Sequence, residues 1–126
     1  MYLILDSSFV IDHLRGDAGA RGRWRRMFEE GDQPVVTEIV VCEVRTGLRA
    51  QDEPILDRFL FPTQFVQPGR ETALLAGVWR AEMSAAGRKL GLPDALIAAA
   101  AFHLNGGVVT RNIRDFALTP VRVVTY

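Results

Sequence analysis

Short blocks of consecutive apolar residues alternate along the chain with longer stretches whose apolar positions recur at helical spacing. The first block, Tyr2–Leu5, is too short for a helix and ends at Asp6, Ser7 and Ser8. It predicts a buried parallel strand that delivers a carboxylate at its C-terminal end. Residues 34–37, 108–110 and 121–125 also read as strands. Between these blocks, Ser8 caps a helix reaching about residue 14 and closed by Gly16. Trp24, Met27 and Phe28 mark a second helix over 20–30. From residue 38, Val40, Val41, Val44 and Leu48 recur near helical spacing, which predicts a helix despite the β-branched side chains. Further helices are expected over 54–60 and 70–86, the latter sending Leu74, Leu75, Val78, Trp79 and Met83 toward a core, and over 95–103, which carries four consecutive alanines. Residues 61–68 read as a loop with a short extended piece, 111–116 as a polar turn, and the glycine-punctuated run 87–92 as a candidate substrate contact.

Neither a repeat nor a linker interrupts this alternation, and 126 residues suit one domain, 1–126, with a real core. Hydrophobic residues at 48% with 24% charged exclude a disordered chain. No apolar run reaches the length of a membrane span, and Met1 leads into a strand rather than a signal sequence, so the expected location is the cytosol. The single cysteine, Cys42, has no internal disulfide partner and reads as a small buried residue. A formal net charge of zero argues against nucleic-acid binding by bulk electrostatics and leaves room for a local site. Among 15 basic residues only Lys89 is a lysine, and the arginines cluster at 15, 21, 23, 25 and 26 and again at 45 and 49. Arginine forks suit phosphate, and a solvated helix face accounts for them equally well.

Four acids stand out by position. Asp6 ends a strand, at the edge where open α/β sheets bind ligands. Glu43 falls beside the apolar face of its helix, and Arg45, two residues on, points elsewhere. Asp94 follows Pro93 at a helix start, where the dipole alone would favour an acid. Asp115 follows the strand at 108–110, with Asn112 facing the same end. Gathered together, four carboxylates repel one another and raise one another's pKa values unless a cation intervenes. Oxygen ligands with no paired histidines or cysteines suit magnesium, with manganese as a substitute, and argue against zinc. His103, near a helix C-terminus, is explained by the dipole and stays outside the site.

The segments ILDSSFVIDHLRG, TEIVVCEVRTGL, GLPDALIAAAA and VVTRNIRDF, in this order and at these separations, resemble the PIN-domain family, and within it the VapC-type toxin ribonucleases of toxin–antitoxin pairs. The resemblance runs nearly end to end. It implies an α/β fold, a PIN-like α/β/α sandwich around a mainly parallel sheet, with the acids at the C-terminal edge. It makes Asp6 and Asp94 the principal metal ligands, with Glu43 and Asp115 completing a catalytic quartet and Thr110 and Asn112 in support. Where such proteins often carry Thr and Asn after the first aspartate, this chain has Ser7 and Ser8; Ser7 keeps a supporting hydroxyl, and Ser8 is expected to matter mainly for the turn. The implied reaction is Mg2+-dependent hydrolysis of an RNA phosphodiester, leaving a 5′-phosphate and a 3′-hydroxyl. The implied partners are a cognate VapB-type antitoxin over the active-site edge and a second copy of the chain, met through apolar surface that includes Trp79 or Phe59. Two other readings stand beside it: a catalytically silent PIN-like module that binds RNA or protein, and a phosphotransfer domain built on Asp6. The second lacks both an aspartate at position 8 and a strand-end lysine.

Overall fold

Five strands pair side by side in the order β3-β2-β1-β4-β5, every pair parallel. The computed structural model describes residues 1–126. The strands are β1 (Tyr2–Leu5), β2 (Gln33–Thr37), β3 (Gln64–Val66), β4 (Gly107–Val109) and β5 (Arg122–Val124). The helices are α1 (Ser7–Leu14), α2 (Ala18–Glu29), α3 (Glu38–Thr46), α4 (Glu53–Leu60, preceded by a 3-10 turn at Ala50–Asp52), α5 (Arg70–Ala85), α6 (Leu92–His103) and α7 (Ile113–Phe116). Parallel strands need crossovers, and the helices that make them flank the sheet in an α/β/α sandwich. Leu3, Ile4 and Leu5 are all completely buried. A strand covered on both faces reads as an unbroken apolar run, and this explains why the first block was legible.

Strand order reverses between β1 and β4. That crevice lies outside the carboxyl ends of the two strands, where α/β sheets place their ligands. The Asp6 amide donates to the Val109 carbonyl at 3.0 Å, which fixes the ends of β1 and β4 in step.

α6 packs against β1, β4 and α5, and Ala95, Ala98, Ala99, Ala100 and Ala101 are buried there. Small side chains all round let the helix sit between the sheet and α5. Its end is set by Asn105, whose φ of 53° is left-handed. The Gly106 amide bonds back to the Ala101 carbonyl at 2.9 Å and that of Asn105 to Phe102 at 3.0 Å, a Schellman closure. A Cβ on Gly106 would overlap the Tyr2 carbonyl oxygen, so only glycine lets this turn lie against β1.

Several expectations give way. The residues at 111–116 are not a plain turn: 113–116 form α7, anchored by the fully buried Phe116. Leu74 and Val78 face outward, each 52% exposed, because α5 turns Thr72, Ala76 and Trp79 inward instead. Trp79 and Phe59, expected as contact surface for a second copy, are buried in the core. Cys42 is exposed, because α3 buries Val40 and Val44 and turns Cys42 to the other side. Arg45 and Arg49 do not form a free cluster for phosphate: Arg49 lies beyond the end of α3 and pairs with Asp52, and Arg45 pairs with Glu53. No helix is long and apolar enough to cross a membrane.

Candidate active site

Asp6 is the N-cap of α1 and is 2% exposed. Its side chain makes no capping bond to the helix. It turns instead toward the end of β4, where Oδ2 accepts the hydroxyl of Thr110 at 2.7 Å and that of Ser8 at 2.9 Å. Thr110 Oγ1 in turn accepts the Asn112 amide at 2.9 Å, and Ser8 Oγ accepts the Arg111 amide at 3.2 Å. Burying an ionised carboxylate this deeply is unfavourable unless hydrogen bonds or a cation compensate. Both hydroxyls go to Oδ2, which leaves Oδ1 without a protein donor.

The other three acids arrive from separate elements. Asp94 stands in the first turn of α6 behind Pro93, Glu43 on α3, and Asp115 in α7. Burial, then the charges of Asp6, Asp115 and Glu43, push the Asp94 carboxyl up to about 6 from an ordinary 3.8. Burial and the Asp6 charge raise Glu43, against a lowering influence of the Ser7 side chain. Asp94 therefore senses all three of the others, and the fold brings the quartet to one sheet edge. None of the molecule's ion pairs includes a member of it, although arginines neutralise Asp12, Glu30, Asp32, Glu53, Asp52 and Glu71 elsewhere.

The cluster is open: no three of its side chains converge as a ready-made ligand cage. Its chemistry nevertheless fits a hard divalent ion. All donors are oxygens, Asp6 Oδ1 is free, and magnesium keeps several waters and commonly needs only one or two carboxylates.

Of the supporting residues, Thr110 contributes its hydroxyl and Asn112 enters through its backbone amide, while Ser7 acts on Glu43 only by favouring its ionised form. Ser8 does more than shape a turn, since its hydroxyl joins Asp6, Thr110 and Arg111. Its position two residues after the strand-end acid was the available signal. Of the run 87–92, Leu90 is buried, its carbonyl taken by Arg80 at 3.1 Å, and Leu92 already belongs to α6. His103 lies away from the acids, with Nδ1 2.8 Å from the Thr72 hydroxyl.

A cavity of about 340 Å³ contains none of the four acids. It lies between α1, α3 and α4, lined by Ile11, Leu14, Val44, Leu48 and Ile55 together with Arg15 and Arg49.

Residues 3–120 match the sequence pattern of the PIN domain. Ribonuclease VapC19 of Mycobacterium tuberculosis is 25% identical over 117 residues, which span 93% of this chain and 94% of that protein. A chain of the crystal structure of VapBC2 from Rickettsia felis, bound to a DNA fragment from its promoter, superposes with a TM-score of 0.87 at 22% identity, covering 100% of this chain and 99% of that one. A chain of a toxin–antitoxin complex from Klebsiella pneumoniae gives 0.80 at 27% identity over 98% and 96%. With the acids at the strand-order reversal of an all-parallel sheet, and a sequence match over nearly its whole length, the chain belongs to the PIN domain family.

Proposed function

We propose that the protein is the toxin of a toxin–antitoxin pair and acts as a Mg2+-dependent endoribonuclease. One observation carries this reading: a nearly inaccessible carboxylate, Asp6, has one oxygen locked by two hydroxyls and the other free, among three further acids that no arginine neutralises. Support comes from the similarity to a ribonuclease and to chains of VapBC complexes.

Asp6 and Asp94 would hold the ion, with Glu43 and Asp115 completing the set. When bound, magnesium supplies Lewis acidity that lowers the pKa of the attacking water and offsets charge on the phosphoryl oxygens. Ser8 and Thr110 hold Asp6 in a single orientation. Glu43 or Asp115 orients the water or takes its proton, and the cut leaves a 5′-phosphate and a 3′-hydroxyl. An open cluster outside that cavity suits a polymer better than a small molecule, and a single-stranded RNA loop can bend into it.

A cognate antitoxin is the second partner. The apolar cavity adjoins the site, since Val44 follows Glu43 in α3 and Ile11 lies one turn beyond Ser7 in α1; we assign it to an antitoxin segment. A second copy of the chain would meet Leu74, Val78 and Phe102, which are exposed on α5 and α6, in an isologous contact. A strictly monomeric sedimentation profile at micromolar concentration would refute that dimer.

Purified protein incubated with total RNA in magnesium, beside EDTA and an Asp94→Asn variant, tests the central reading. Discrete cuts that need both magnesium and Asp94 are expected. Their absence in both magnesium and manganese, free of antitoxin, would favour a silent RNA- or protein-binding PIN-like module, a reading that draws on the openness of the acid cluster.

A further inference from the structure

Asp12 takes no part in the acid cluster, yet it is a carboxylate buried to 7% exposure on α1. The fold satisfies it with two donors from distant parts of the chain. The Tyr126 hydroxyl donates to Oδ2 at 2.7 Å, and Arg111 Nη1 lies 2.9 Å from both carboxylate oxygens. Phe9 braces the Tyr126 ring edge-on, with centroids 5.0 Å apart. The Arg111 side chain is itself 63% exposed, so the pair does not serve to hide a guanidinium. A buried acid kept in a helix for an exposed arginine is an expensive arrangement, and its effect has to be sought in what Arg111 carries.

Arg111 stands between two residues of the site. Thr110 before it donates to Asp6, and Asn112 after it returns its amide to Thr110. Ser8, one turn before Asp12 on the same face of α1, accepts the Arg111 amide. α1 thus holds this residue twice, by its backbone through Ser8 and by its side chain through Asp12. Four residues on is Asp115, in a helix of a single turn, which has too few hydrogen bonds to fix its own place. Asn112, at φ −86° and ψ 60°, leaves both the strand and the helix conformations to make the join.

We propose that Asp12 is a positioning residue: with Arg111 as its arm and Tyr126 as its brace, it clamps the segment 110–115 against α1 and sets where Asp115 stands relative to Asp6 and Asp94. The inference deepens the metal-site reading and rests on it.

The test is Mn2+ binding to purified protein by electron paramagnetic resonance, beside RNA cleavage and thermal melting, for Arg111→Met, Arg111→Lys, Asp12→Asn, Tyr126→Phe and Asp94→Asn. Arg111→Met and Asp12→Asn are expected to weaken Mn2+ binding about 10-fold, as loss of a ligand's supporting contacts does. They should lower kcat at saturating RNA more than they raise KM, while remaining folded at the assay temperature. Arg111→Lys, which returns a cation to Asp12, should recover most of both. Tyr126→Phe keeps the ring and loses only the hydroxyl, so it reports the brace without a cavity. Wild-type Mn2+ affinity in Arg111→Met and Tyr126→Phe, with binding lost in Asp94→Asn, would overturn the clamp and spare the metal site. Losses that merely track the unfolded fraction would overturn it as well. Undiminished binding in Asp94→Asn would remove the metal reading, and the clamp with it.

Discussion

Asp94 is where the cost of the site is most visible. Its carboxyl is raised to about 6, so in metal-free protein the protonated form favours folding. That contribution is complete below the ordinary value of 3.8 and is lost as pH rises through about 6. At pH 7 the ionised group opposes folding by on the order of 1 kcal/mol, after discounting for its partial exposure to solvent. Asp94→Asn is therefore expected to melt about 3–5 °C higher than wild type at pH 7 in EDTA, with the difference gone near pH 4. The same variant should cleave RNA at least about 100-fold more slowly and gain no stability from magnesium, whereas the wild type melts higher as magnesium is added. A variant less stable than wild type at pH 7 in EDTA would show that Asp94 contributes more by contacts than it costs by charge.

At the scale of elements, α6 couples stability to chemistry, because the helix that presents Asp94 is also the one wedged between the sheet and α5. Enlarging its buried face with Ala98→Leu should cost about 1–3 kcal/mol, read as a lower urea midpoint with an unchanged slope. Most of the frame was legible in the sequence. Buried strands such as β1 are continuous apolar runs, and helix ends were marked by glycines such as Gly16, whose φ is 87°. The misses have specific causes. α7 is a single turn with one buried anchor, Phe116, too short for a periodic signal. α5 carries apolar residues on more than one face, so periodicity alone did not show which side would be covered, and Leu74 and Val78 stayed outside. The positions of Asp6, Asp94 and Asp115 were readable because each sits at a strand end or near an element boundary, and that of Glu43, inside α3, because it falls beside the apolar face of that helix. The contacts around them were not, since Ser8, Arg111 and Tyr126 meet only through tertiary structure.

As a whole, the molecule has no net charge, and five of its arginines pair with acids: Arg23 with Glu30 and Asp32, Arg45 with Glu53, Arg49 with Asp52, Arg70 with Glu71 and Arg111 with Asp12. RNA recognition is therefore expected to depend weakly on salt, with a slope that reflects only a few phosphate contacts. The apolar cavity offers an independent check on the antitoxin. Ile55 is 42% exposed at its edge, so Ile55→Glu should leave folding and RNA cleavage intact and weaken binding of the cognate antitoxin at least about 10-fold by titration calorimetry. Unaltered affinity would place the antitoxin elsewhere. Thr110 reaches Asp6 across 104 positions of sequence, and β4 enters beside β1 only after β2 and β3 have been laid down on its other side. A growing polypeptide makes Asp6 and Ser8 early, but lacks the second locking hydroxyl, that of Thr110, and Asp115 until almost all of the domain has been translated. On the ribonuclease reading, the nascent chain carries no complete site, and presents no hazard to the machine that makes it, until this last part of the domain has been translated.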